Sequence, residues 1–190
     1  MKTFEFTLII DGADLLTDAH LDALFEAGCD DATFGARDYV HYAAFDREAE
    51  NLGDAVISAI HAIEQAVSDA TVVRIEPDEL VSQSVIAKRT GRTKESVRLL
   101  YTGQRGPGGF PAPVSWIDQK HKVWHWSEGA EWFEQALGEP IAAGHEAETI
   151  ATLNGMLEAR RHLRRVSDAE RHAVAAFVHE DAELNSLLAV

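Results

Sequence analysis

Residues 2–10 place Phe4, Phe6, Leu8 and Ile10 at every second position, the spacing of a strand with one buried face. The period then changes: over 18–27, Leu21, Leu24 and Phe25 recur at helical intervals, and Gly28 ends the run. Two short alternating runs follow, 32–36 and 40–45, around a turn near Arg37 and Asp38. Leu52, Val56, Ile57, Ile60, Ile63 and Val67 mark a second amphipathic helix, and the β-branched run 71–75 a last strand. The predicted order is βαββαβ, which suggests an α+β chain opening with a ferredoxin-like sandwich over residues 1–77, two helices on one face of an antiparallel sheet. Such a sandwich hosts unrelated activities, and its helix-free face is open to a dimer partner, a ligand or a docking protein.

After Pro77 the pattern shortens. Ser82 can cap a helix to about Arg89, Gly91 permits a tight reversal, and Thr93 can cap a second helix over 94–102 that Gly103 stops. Ile86, Ala87, Val97 and Leu100 supply the facing apolar sides, the small alanine allowing a close crossing. This is the spacing of a helix-turn-helix, with Thr93, Lys94, Glu95, Ser96 and Arg98 outward and Lys94 and Arg98 on one stripe. Then come GFPAPV at 109–114, a polar stretch, VWHW at 123–126 and SEGAEWF at 127–133. They read as a β-hairpin, a wing with Lys120, His121 and Lys122 near its tip, followed by a capped helix.

At these residues, about 80–137, the chain resembles the MerR-like, excisionase-like (AlpA-like) winged helix-turn-helix DNA-binding family, in which a helix-turn-helix precedes FPxPV, a short hairpin, an aromatic return strand and a helix with a tryptophan. Arg92 departs from the pattern, standing after the turn glycine where the family usually has an apolar residue. Its stem either packs with the head snorkelling outward, or the turn is shifted and it meets phosphate. The resemblance implies a winged helix-turn-helix domain over 78–138.

Charge adds a second argument. The chain carries −15, yet residues 1–77 have 4 basic against 16 acidic groups, 78–135 have 8 against 7, and 136–190 have 5 against 9. Within 82–105, Lys88, Arg89, Arg92, Lys94, Arg98 and Arg105 are opposed only by Glu95. A basic reader on an acidic body suits DNA, whose phosphates supply much of the affinity, while the body repels DNA elsewhere. Lys94, Ser96 and Arg98 are expected at base edges and Lys88, Arg89, Arg92, Thr93, Lys120 and Lys122 at phosphates, with Arg105 a further DNA-binding residue.

Residues 139–190 read as helical. Ile150, Leu153, Met156, Leu157 and Leu163 form one apolar set, and Ser167 with Glu170 a capping box before Val174, Phe177 and Val178. Helices with one apolar stripe must pack on the chain or on a second copy, so a homodimer is expected. Arg160, Arg161, Arg164 and Arg165 form a solvated face that can also add phosphate contacts.

Other chemistry finds little support. Asp11, Asp14, Asp18, Asp22, Asp30 and Asp31 read as solvated acidic surface, with no calcium-loop pattern. His121 with His125, and His172 with His179, lack companions for zinc. The glycine-rich 103–109 lacks the lysine of a phosphate cradle, and Cys29 has no base beside it. No enzyme, metal or cofactor is expected. No membrane-length apolar run or leader is present, and the single cysteine fits a cytoplasmic location. The expectation is a sequence-specific bacterial transcriptional regulator. The alternatives are an antitoxin or phage-type adaptor whose acidic N-terminal domain binds a protein partner, and a small-molecule-responsive switch.

Overall fold

The alternation in the first ten residues forms β1 (Lys2–Asp11), and Thr17 caps α1 (Asp18–Glu26) by accepting from the His20 amide. β2 (Ala32–Arg37), β3 (Val40–Ala49), α2 (Leu52–Ala66) and β4 (Thr71–Glu76) follow. The structure is a computed structural model that describes residues 1–77, 79–114, 122–139, 141 and 144–188. Among these residues eight helices accompany a four-stranded antiparallel sheet and a two-stranded one, an α+β architecture.

The larger sheet has the order β2-β3-β1-β4. Its inner face carries Phe4, Phe6, Leu8, Ile10, Ala43, Phe45, Val72 and Ile75 against Leu24 of α1 and Val56, Ala59, Ile60 and Ile63 of α2. Register puts Phe6 opposite Phe45, where the rings stack at 5.3 Å, a contact that both strands' alternation requires. Two expectations shift. Phe25 is exposed, and the buried place beside Leu24 goes to Leu15 of the preceding turn. β3 runs on to Ala49 because Arg47, on the inner face, finds full partners there.

Arg47 is 8% exposed. Its Nε and Nη2 donate to the Asp31 carboxylate at 2.8 Å each, Nη2 to the Gly28 carbonyl and Nη1 to Ser58. Asp31 is therefore one half of an ion pair joining the α1–β2 loop to β3 and α2, a correction to its reading as solvated surface. A buried charge persists only when its donors are met in this way.

β5 (Leu80–Ser82), α3 (Gln83–Arg89) and α4 (Lys94–Tyr101) come next, with Ser82 and Thr93 as caps. β6 (Val123–His125) leads into α5 (Trp126–Leu137). The hairpin expectation needs correction: β6 pairs antiparallel with β5, and residues 109–114 form no strand. They touch β6 through the Val114 amide, which donates to the Val123 carbonyl, while the Trp124 and Trp132 indoles donate to the Pro111 and Gly108 carbonyls. Two prolines in six residues remove ladder donors, so FPAPV serves as a plug: the Phe110 ring lies 4.9 Å from Trp132, 6.0 Å from Phe133 and 6.3 Å from Trp124.

α6 (Gly144–Leu163) buries Ile150 and Leu157 in the core of the larger sheet and Ala147 in the α3–α5 core. It also seals the free edge of β4. Asn154 accepts from the Ile75 amide and donates to the Ile75 carbonyl, as a neighbouring strand would. Glu64 accepts from the Val72 amide, while Arg160 donates to the Val72 carbonyl and grips Glu64. Edge strands left open invite pairing with other chains, and here side chains close the edge. α7 (Asp168–Glu180), begun by the Ser167–Glu170 capping box, and α8 (Ala182–Leu188) complete the described chain.

Candidate nucleic-acid interface

α3 ends in a hydrogen-bond pattern that needs a left-handed residue. The Arg92 amide donates to the Ala87 carbonyl and the Gly91 amide to Lys88, with Gly91 at φ +64°. α4 ends the same way at Gly103, φ +69°. Between these stops Gln83 Nε2 donates to the Lys94 carbonyl at 2.6 Å, a tie that sets α4 against α3. Ile86, Ala87, Val97 and Leu100 close the apolar side over Trp124, so the opposite side of α4 faces solvent.

The residues expected to meet DNA fall into three groups. Lys88, Thr93, Lys94 and Arg105 are exposed and Ser96 is half-buried on the outward side of the turn and α4. Thr93 Oγ1 accepts from the Ser96 amide, so its hydroxyl is held as the helix cap. Arg98 points outward but is held by Glu95 one turn earlier, its Nε and Nη2 donating to that carboxylate at 2.7–3.0 Å. Hydrogen bonding to Arg98 keeps the Glu95 carboxyl below its usual range, and Glu95 raises Arg98. Both groups are solvent-exposed, so the pair is weak, screened by salt and exchangeable for a phosphate or base.

Arg89 and Arg92 turn elsewhere. Arg89 lies 4.9 Å over the Trp126 ring. Arg92 lies 4.9 Å over Phe133 and donates to Glu139 at 2.6 Å and to the Thr90 carbonyl. Its stem packs and its head is bound within the protein, which places Arg92 as a tether between the turn and the end of α5. Both arginines, expected at phosphates, thus have an aromatic face of the protein as one partner. Lys122 lies 5.2 Å over Tyr101, beside the last turn of α4. Lys120 and His121 fall outside the described residues.

Two supporting residues escaped the sequence reading. Glu79 is 3% exposed; its Oε1 accepts from the Ser127 hydroxyl and amide, its Oε2 lies 2.5 Å from His125 Nδ1, and its carbonyl accepts from the Trp126 amide. α5 begins at Trp126 without a side-chain cap from His125, and Glu79 does that work from across β5 and β6. Glu139 is the second, anchoring Arg92. Neither was legible because each partner lies more than forty positions away.

Among the described residues no cluster of three His, Cys, Asp or Glu is arranged to hold a metal ion. Cys29 is buried, and burial pushes its thiol above the usual range, against the opposing pull of Arg47. No helix of the described residues is long and apolar enough to cross a membrane. Comparison with protein-family models, with curated proteins and with solved structures yields no match.

Proposed function

We propose that the protein is a sequence-specific DNA-binding regulator, a winged helix-turn-helix reader carried on a ferredoxin-like sandwich and working as a homodimer. The observation that carries the reading is α4: its apolar side is locked against α3 and Trp124 while Lys94, Glu95 and Arg98 face solvent. A short capped helix held at a fixed angle, with a basic outward stripe, is the element that enters a major groove. The strand order β2-β3-β1-β4, with α1 and α2 on one face, supports the sandwich. The bond from the Val114 amide to the Val123 carbonyl, which brings those two residues together ahead of α5, supports a wing. Second-copy contact is supported by α7, which has no buried residue and presents Val174, Phe177 and Val178 on one side.

In this reading Lys94, Ser96 and Arg98 meet base edges, and Lys88, Arg105 and Lys122 hold phosphates. With Arg92 paired to Glu139 and Arg89 packed over Trp126, the salt dependence is modest, a log–log slope no steeper than about −5 per protomer. Fluorescence anisotropy on genomic and random duplexes across a salt series tests this. Arg98→Ala is expected to weaken the preferred site roughly ten-fold and relax preference at one base pair, and Lys88→Ala to weaken all duplexes alike. Arg92→Met should lower thermal stability without changing the salt slope. Binding that is indifferent to Lys94→Ala and Arg98→Ala on every duplex overturns the reading.

A further inference from the structure

The end of α6 and the last rung of the β1–β4 ladder, where Asp11 faces Thr71, enclose a cleft of about 190 Å³. Arg160, Arg161, Arg164 and Arg165 all reach its wall. Arg160 is answered within the protein, by Glu64 and the Val72 carbonyl. Arg164 Nη1 donates to the Thr71 hydroxyl at 3.4 Å, which holds its guanidinium against the cleft. Arg161, Arg164 and Arg165 are exposed, and no carboxylate among the described residues pairs with any of them. A helix C-terminus ordinarily gives such residues a local task, because its last carbonyls need donors. Arg171 already performs it: its Nη1 donates to the Leu163 carbonyl at 3.1 Å and to the Val166 carbonyl at 2.8 Å. Asp11 is the opposing carboxylate at the wall, and its Oδ1 accepts from the Gly12 amide at 2.9 Å. Glu158 stands outside the cleft, 3.6 Å from His162. In a chain of charge −15, this cleft gathers three unpaired cations against Asp11.

Size and charge select a ligand class. The cleft is smaller than the roughly 300–1,000 Å³ of pockets that enclose a whole organic ligand, so it takes an anionic head group and leaves the rest of the molecule outside. A single carboxylate has acceptors for one guanidinium fork. A diphosphate offers oxygens on two neighbouring centres and can accept from several forks together. A nucleic-acid strand carries the same phosphates, but the 1–77 unit that supplies β1 and β4 has 16 acidic against 4 basic groups. Such a surface repels a long polyanion, whereas a compact one meets only the arginines. We infer that this cleft is a binding site for a small molecule bearing a diphosphate group, held by Arg161, Arg164 and Arg165 beside the Thr71 hydroxyl. The occupant touches both the end of the sheet and the end of α6, and so pins α6 to the N-terminal sandwich.

The test is calorimetric titration of the full chain with pyrophosphate, orthophosphate and malonate at constant ionic strength, without divalent metal, followed by thermal melts. Pyrophosphate is expected to saturate and to raise the melting temperature, as a ligand of the native state does, with the other two anions about ten-fold weaker. An anion that acts only through exclusion from the surface raises the melting temperature without saturating, and that result overturns the assignment. Arg161→Gln and Arg165→Gln, both at exposed positions, are each expected to weaken pyrophosphate by about five-fold or more, while Lys94→Gln in α4 leaves it unchanged. Malonate binding equal to that of pyrophosphate, or binding lost in Lys94→Gln and kept in both arginine variants, overturns the site. Displacement of bound pyrophosphate by a random duplex assigns these arginines to nucleic acid and overturns the small-molecule reading. The three-anion comparison on the unaltered chain decides even where a variant fails to fold. Titration with the anions involves no DNA, so its failure is distinct from failure of the DNA reading.

Discussion

Tyr39 is fully exposed at φ +66°, beside Asp38 at φ +52°, in the two-residue loop that joins Arg37 to its strand partner Val40. The geometry is that of a hairpin turn with both central residues left-handed, where aspartate is tolerated and a tyrosine is strained. Tyr39→Gly is expected to stabilise the fold by about 1 kcal/mol, or roughly 2–4 °C in melting temperature. An unchanged or lower value in a thermal melt counts against strain at this position. Asn154 is the opposite case, a single side chain satisfying both polar groups of Ile75 on the sheet edge. Asn154→Ala leaves a donor and an acceptor unpaired and is expected to cost about 1–3 kcal/mol in urea unfolding, with the slope unchanged. A loss within the noise would mean that water replaces the amide there.

The helices of the basic unit depend on their ends more than on their length. α3 and α4 have seven and eight residues, too few to hold as isolated helices, and both rely on caps, glycine stops and a shared apolar face. Arg92 joins this unit to α5 through Glu139, whose carboxyl the guanidinium holds below the usual range. A carboxyl depressed in the folded state contributes stability above its unfolded value, about 4.3, and that contribution is lost as pH falls through the folded value. Glu139→Gln is therefore expected to flatten the acid limb of the melting-temperature profile below about pH 5, and less so in high salt because the pair is exposed. An acid limb identical to that of the parent chain would show that the pair adds nothing to stability.

On the scale of the whole molecule, α6 and α7 part company. α6 is built into both cores, whereas α7 leaves Phe177 61% exposed beside Val174 and Val178. If this face joins two copies, Phe177→Asp shifts the sedimentation of the full chain from dimer to monomer; a parent chain that sediments as a monomer at high concentration removes the dimer. Period and punctuation were enough to place the strands and helices of residues 1–77, the two capped helices with their glycine turn, and the capping box of α7. These depend on neighbours within a few positions, where alternation, caps and left-handed glycines act locally. Long-range packing assigned the rest. FPAPV became an aromatic plug because Trp124, Trp132 and Phe133 converge on Phe110, and β6 found its partner in β5. Arg89 came to lie over Trp126 and Arg92 over Phe133 beside Glu139, Glu79 took over a helix cap, and Asn154 closed a sheet edge. A charged side chain's local spacing shows which stripe it starts from, but where its head comes to rest depends on aromatic faces and counter-charges brought near by chain folding, often from forty or more positions away.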